Sequence, residues 1–202
     1  MSDIKYSAIT INRECGAFGH TIAGIVSKKL DLPFYDKDFV FKAAEASGYS
    51  REDIKKEGET MSKTARFFND FLGASASYVS SYDRIHEMQA EVIKDLASKE
   101  KCILVGRCSD YILTEAGFKV LKVFLYADTE TKVKHMMDLY PEVEEKTIRK
   151  QIEKEDIRRQ TYYKVYTGRE FEQCGNYSIC LNTGVLSPDE CADIICKMAA
   201  GE

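Results

Sequence analysis

Four short β-rich apolar runs, at residues 6–11, Cys102–Val105, 121–126 and 178–181, most constrain what this chain can fold into. The second of them, Cys102-Ile103-Leu104-Val105, has no polar residue at alternate positions. That is the pattern of a strand buried on both faces and not of one with a wet side. Between the runs lie stretches whose apolar residues recur at helical spacing, such as Ile22, Ile25, Val26 and Leu30, or Ile85, Met88, Val92, Ile93 and Leu96. Strands alternating with helices predict βαβ units, and hence a mainly parallel sheet with helices on both faces.

Local signals sharpen the outline. A fifth short run, Leu32-Pro33-Phe34-Tyr35, leads into an amphipathic segment over 38–46 that Gly48 can end as a helix cap. Ser50 with Asp53 suggests a short capped helix, and 61–81 mixes three Phe with Gly, Ala and Ser in a pattern that fits a helix plus a segment over a cleft. Ser187-Pro188-Asp189-Glu190 supplies a capping hydroxyl, a proline at the first helical position and a carboxylate at the third, and so predicts the start of a last helix.

Composition excludes several classes. With 29 Lys and Arg against 33 Asp and Glu the chain carries −4, and 44% hydrophobic residues mark it as globular and not disordered or generally basic. No apolar run approaches the roughly 18 residues of a membrane span, and the first five residues lack the layout of a signal peptide. A soluble, cytoplasmic protein without membrane or nucleic-acid partners is expected. Seven cysteines without metal-ligand spacing read as buried reduced thiols, with Cys15 alone near possible chemistry.

That chemistry centres on residues 12–21. A strand, a loop with Gly16 and Gly19, and a helix together form an anion site, because the first amides of the helix and its dipole both favour a phosphate. The usual phosphate loop, G-x-x-x-x-G-K-[ST], is met only in part. Gly19-His20-Thr21 leaves Glu14 at the first glycine position and His20 in place of the lysine. An ordinary strand-to-helix turn remains the alternative. A second basic feature is the stretch 146–169, with eight basic residues against three acids in an acidic protein, which suggests an anionic partner.

Position by position the chain resembles the bacterial cytidylate kinases, and most closely their divergent cytidylate kinase-like branch. Residues 9–19 resemble that branch's strand followed by S-R-E-x-G-S-G-G, which also lacks the loop lysine. Phe34-Tyr35-Asp36-Lys37-Asp38-Phe39-Val40-Phe41-Lys42 resembles Y-L-D-S-G-A-M-Y-R of the monophosphate pocket, with Lys42 where the arginine stands and Lys37-Asp38 replacing Ser-Gly. Val105-Gly106-Arg107-Cys108-Ser109-Asp110 resembles D-G-R-D, whose arginine holds the acceptor phosphate. The run 152–159 resembles the arginine-rich lid; Tyr162, Tyr163 and Tyr166 with Thr167-Gly168 match a Y-Y-x-x-Y-T-G pattern of the branch.

The resemblance implies a three-layer phosphate-loop α/β/α fold with a five-stranded parallel sheet. Its core would be 1–40, 96–146 and 172–202, with an acceptor-binding insert at 41–95 and a lid at 147–171. It implies transfer of the γ-phosphoryl group of ATP, with magnesium, to a nucleoside monophosphate such as CMP or dCMP. The amides of Gly16, Ala17, Phe18, Gly19, His20 and Thr21 would hold the donor phosphates, and the Thr21 hydroxyl the magnesium ion. Arg158 and Arg159, with Arg13, would neutralise the transferring group. Lys154 and Arg158 share a helix face by spacing, whereas Arg158 and Arg159 diverge. Asp36, Lys37, Lys42, Arg107 and Asp110 would position the acceptor. Two alternatives stay open: a kinase of another small metabolite, and a nucleotide-binding regulatory module without turnover, which the absent lysine and the Glu14 carboxylate favour.

Overall fold

Each apolar run becomes a strand, and the helical segments cover both faces of the sheet they make. The computed structural model describes residues 4–36 and 81–201, with residues 81–85 described by their backbone alone. In chain order the elements are β1 (Ala8–Arg13), α1 (Gly19–Leu30), β2 (Phe34–Tyr35), α2 (Ser81–Lys99), β3 (Cys102–Val105), α3 (Ser109–Glu115), β4 (Val120–Tyr126), α4 (Thr129–Leu139), α5 (Glu145–Thr167), β5 (Ile179–Asn182) and α6 (Pro188–Ala200), with a short 3-10 turn at Cys174–Asn176. The predicted segments over 38–46, 50–53 and 61–80, with Lys37 and Lys42, lie outside the described residues.

The five strands run parallel in the order β2-β3-β1-β4-β5, as expected. β1 is central, paired along its length with β3 on one side and β4 on the other. This placement explains why its polar residues Thr10 and Asn12 are as buried as its isoleucines. Side chains of the strands alternate between two cores. Ile9, Ile11, Ile103, Val105, Leu121, Val123 and Leu125 pack toward α1 and α6, whereas Ala8, Cys102, Leu104 and Phe124 pack toward α2, α3 and Tyr163 of α5. A fully buried Ile or Leu in such a core contributes roughly 1.5–3 kcal/mol. A third, smaller cluster of Cys15, Val133, Met136, Ile148 and Ile152 joins the loop after β1 to α4 and α5.

The start of α6 is built as its sequence predicts. The Glu190 amide donates to Ser187 Oγ at 3.3 Å, the Ser187 amide donates to Glu190 Oε2 at 2.8 Å, and Pro188 opens the helix. All seven cysteines are free thiols, but they are not uniformly buried: Cys174 is exposed, and Cys180 and Cys196 are half-buried. The expected lid segment is a single 23-residue helix, α5, whose buried residues Ile148, Ile152, Asp156 and Tyr163 form one stripe. Through that stripe α5 packs on the carboxyl-end loops of β1 and β3, where ligands bind in open parallel sheets.

Candidate functional site

β1, the central strand, ends at Arg13, and the chain then turns through Glu14 to Phe18 into α1. Gly16 sits at φ +82°, and a Cβ there would lie 2.8 Å from the Lys132 carbonyl oxygen, so the loop rests directly on the backbone of α4. Phe18 also adopts a left-handed conformation and packs at a tilt against His135, whose Nδ1 lies 2.9 Å from the Gly16 carbonyl oxygen. The amides of Gly19, His20 and Thr21 form the first turn of α1, where a helix has no internal partners for its N–H groups. His20 and Thr21 are exposed there.

Gly19 has a second purpose that its spacing did not reveal. A Cβ on Gly19 would lie 2.5 Å from Arg13 Cγ, and one on Gly106 would lie 2.5 Å from Arg13 Nη1. The two glycines make the channel through which the Arg13 side chain crosses from β1 toward the loop after β3. Gly106, Arg107 and Cys108 all have positive φ, at 76°, 59° and 55°. For the last two this backbone is uncommon and costs on the order of 1–2 kcal/mol each. It is held by the Gly106 amide donating to the Ile11 carbonyl and by the Ser109 amide donating to that of Gly106, both at 3.1 Å.

Three guanidinium groups are thereby brought within electrostatic reach of one another. Arg159 of α5 donates from Nη1 to the Arg13 carbonyl oxygen at 3.1 Å, and the Arg107 guanidinium lies 5.6 Å from the centre of the Tyr162 ring. Burial, then the nearby charges of Arg159 and Arg107, lower the Arg13 pKa from 12.5 to about 9, while Cys15 and Asp36 act in the other direction. Such a concentration of positive charge at a helix N-terminus is relieved by a phosphate. Asp36, directly after β2, lies with Oδ2 3.3 Å from His20 Nε2, which ties it to the first turn of α1.

Several expected residues stand elsewhere. Glu14 turns away from the α1 amides: its Oε2 accepts from Lys132 Nζ at 3.0 Å and from the Ala127 amide at 3.3 Å. The Glu14 carboxylate is thus neutralised behind the loop and away from the first turn of α1. Asp110 is buried at 2% exposure, its two oxygens accepting from Asn12 Nδ2 at 2.9 Å and Tyr163 Oη at 2.7 Å. Burial raises its pKa although those hydrogen bonds oppose the rise. It therefore braces α3 against β1 and α5 and does not face the arginines as an acceptor ligand. Arg158 pairs with Glu155 at 2.8 Å while Arg159 points inward, because adjacent helical residues diverge by about 100°. Lys154 is exposed.

The sequence reading missed Lys132, Asp156, His135 and Asn12. Asp156 carried a signal, since it is a carboxylate on the stripe Ile148-Ile152-Asp156-Tyr163, where only a paired charge is tolerated. Lys132 carried none. Among the described residues no group of three or more His, Cys, Asp or Glu is arranged to hold a metal ion. Thr21 is the one expected metal contact, and a magnesium ion that keeps most of its waters and arrives on nucleotide phosphates suits so sparse a donor set.

A sequence profile of the cytidylate kinase-like family matches residues 8–185, from the start of β1 to the turn after β5. The chain belongs to the cytidylate kinase-like family. No curated protein matches it. Among solved structures it is similar to an uncharacterized protein from Eubacterium ventriosum, at 24% identity over 96% of this chain and 99% of that one, with a TM-score of 0.73. It also resembles a shikimate kinase from Bacteroides thetaiotaomicron (15% identity, 95% and 96% covered, TM-score 0.50) and a gluconokinase from Sinorhizobium meliloti (13%, 96% and 89%, TM-score 0.51). These likenesses show the phosphate-loop kinase fold. Family and fold together support a kinase. No helix among the described residues is long and apolar enough to cross a membrane.

Proposed function

We propose that this member of the cytidylate kinase-like family transfers the γ-phosphoryl group of ATP to a nucleoside monophosphate, with CMP or dCMP as the acceptor. The observation that carries the reading is the convergence of Arg13, Arg107 and Arg159 beside the first turn of α1. Phosphoryl transfer needs little covalent help from the protein and much positioning and charge neutralisation, which three guanidiniums and a row of helix amides supply. The loop from Gly16 and the first turn of α1 hold the donor phosphates. Arg13, which reaches the loop between Gly19 and Gly106, provides the positive charge that a loop lysine would otherwise bring. Arg107, at the carboxyl end of β3 and against Tyr162, faces the acceptor phosphate, and by the sequence resemblance Asp36, Lys37 and Lys42 are further acceptor contacts. Arg159 neutralises the transferring group, while Arg158, paired with Glu155, faces away from it. Magnesium, when bound, would shield the charge of the donor phosphates, and the Thr21 hydroxyl would hold it.

A second reading, a kinase of another small hydroxylated or phosphorylated metabolite, is favoured by one sequence feature. Lys37-Asp38 stands where cytidylate kinases carry Ser-Gly. The deciding assay offers ATP and magnesium with CMP, dCMP, UMP, AMP and GMP and identifies products by mass spectrometry. CDP or dCDP that disappears in Arg107→Ala supports the first reading. ATP binding without turnover on any of the five favours a different acceptor or a regulatory module.

A further inference from the structure

Behind the phosphate loop lies a second charged cluster that the proposed chemistry does not use. Lys132, only 8% exposed on α4, places Nζ 3.0 Å from Glu14 Oε2 and 3.0 Å from Asp156 Oδ2. The other Asp156 oxygen accepts the Cys15 amide at 2.6 Å and lies 3.8 Å from Arg159 Nη1. One lysine thus joins a carboxylate on the loop after β1 to a carboxylate on α5, and the second of these holds both a loop amide and the arginine that reaches over the loop. Burial opposes the charge on Lys132, but its hydrogen bonds to Glu14 and Asp156 outweigh this and raise its pKa. The cluster stays ionised across the physiological range on the lysine side.

We propose that Lys132 and Asp156 are positioning residues that set the phosphate loop and Arg159 as one unit, so that the donor-phosphate site is assembled from α4 and α5 and not by the loop alone. The inference rests on the phosphate-binding reading of the loop. A loop that lacks its own lysine has backbone amides but no cationic side chain of its own to fix its shape around the donor phosphates. Here the shape is fixed from behind: Gly16 is seated on the Lys132 backbone, His135 engages the Gly16 carbonyl oxygen, and Asp156 takes the Cys15 amide. Because Asp156 and Arg159 are three residues apart on one helix, any shift of α5 moves the loop anchor and the phosphate-facing guanidinium together.

The test compares ATP affinity, by calorimetry with Mg·ATP, and steady-state kinetics for the full chain and a set of variants. Asp156→Ala is expected to weaken ATP binding and lower kcat by about 10–100-fold each, the cost of a small misplacement, with the KM of the nucleotide acceptor changed by less than about threefold. Asp156→Asn, which keeps an oxygen for the Cys15 amide, recovers most of the loss in ATP affinity but less of kcat. Adding Arg159→Ala to Asp156→Ala lowers kcat by much less than Arg159→Ala does alone, because the arginine has already lost its tether. Lys132→Met leaves two buried carboxylates without their cation and risks unfolding, so the pair Lys132→Met with Asp156→Asn, which removes one charge of each sign, is measured beside Lys132→Arg. The pair is expected to bind ATP weakly while still folded by circular dichroism, and Lys132→Arg to bind it better than the pair. Asp156→Ala and the folded pair matching the wild type within about twofold in both ATP affinity and kcat overturns the inference while leaving the kinase reading intact. A wild-type protein that binds no nucleotide overturns both.

Discussion

Two charged clusters lie back to back across the loop after β1, and they are built on opposite principles. In the first, Glu14, Lys132 and Asp156 satisfy one another at 3.0 Å in a nearly closed setting. In the second, Arg13, Arg107 and Arg159 are close enough for two of them to depress the pKa of the third. The first has charges of both signs and holds backbone in place. The second concentrates one sign beside a helix N-terminus, an arrangement that costs stability and that a bound anion would relieve. Sequence proximity does not sort them: Arg13 and Glu14 are neighbours in the chain and belong to different clusters, because successive residues at the end of a strand point to opposite sides.

Breaking the arginine cluster has the largest expected effect on activity. Arg107→Ala and Arg159→Ala are each expected to lower kcat/KM for phosphoryl transfer by roughly 10²–10⁴-fold, with melting temperatures close to wild type. Loss of folding in place of loss of rate would assign these residues to the scaffold. Next in size is a steric probe of the balanced cluster. Gly16→Ala sets a Cβ 2.8 Å from a main-chain oxygen at positive φ and is expected to cost about 2–3 kcal/mol of stability, read from denaturant unfolding. Gly19→Ala, whose Cβ meets the movable Arg13 side chain, is expected to spare stability relative to Gly16→Ala and to weaken nucleotide binding instead.

Arg13→Met sharpens the contrast in a different way. Removing a half-buried cation that two like charges oppose is expected to stabilise the nucleotide-free protein slightly while abolishing its thermal shift with Mg·ATP. A destabilised variant would mean that Arg13 is already compensated within the fold. The smallest effect is expected at Asp110, on the far side of β1. Its pKa is raised in the folded protein, so the folded state holds the proton more tightly than the unfolded chain does. Its contribution to stability therefore falls as pH rises from the ordinary carboxylate range through the raised folded value. Asp110→Asn should flatten that part of the stability profile, and an unchanged profile would remove Asp110 as its source.

Much of the architecture was legible. β3 occupies the four residues of its apolar run, and the Ser187 capping box starts α6 where its residues say a helix begins. These signals are local, so a local reading finds them. The boundaries that slipped are instructive. The strand read as 6–11 runs to Arg13, because Asn12 and Arg13 continue pairing with Phe124 and Leu125 of β4, and that pairing carries the arginine to the carboxyl edge of the sheet. Arg158 and Arg159 looked equivalent in the basic stretch, and the phase of α5, set by Ile148, Ile152 and Tyr163, sends one to Glu155 and the other to Arg13. Asp110 sits in the motif of a ligand-contacting loop, yet the turn through Gly106, Arg107 and Cys108 buries it under Tyr163.

The sequence by itself determined the parallel α/β fold, the strand-loop-helix segment that opens it and the family, because apolar periodicity, caps and motif spacing are properties of contiguous residues. Only the tertiary structure decided which charges meet. Arg13, Arg107 and Arg159 come from the ends of β1 and β3 and from the middle of α5, and Lys132 reaches Glu14 and Asp156 from α4. The energy of a charge depends on what lies within a few ångströms of it and on how much water is excluded, and neither quantity is written in the order of residues along the chain.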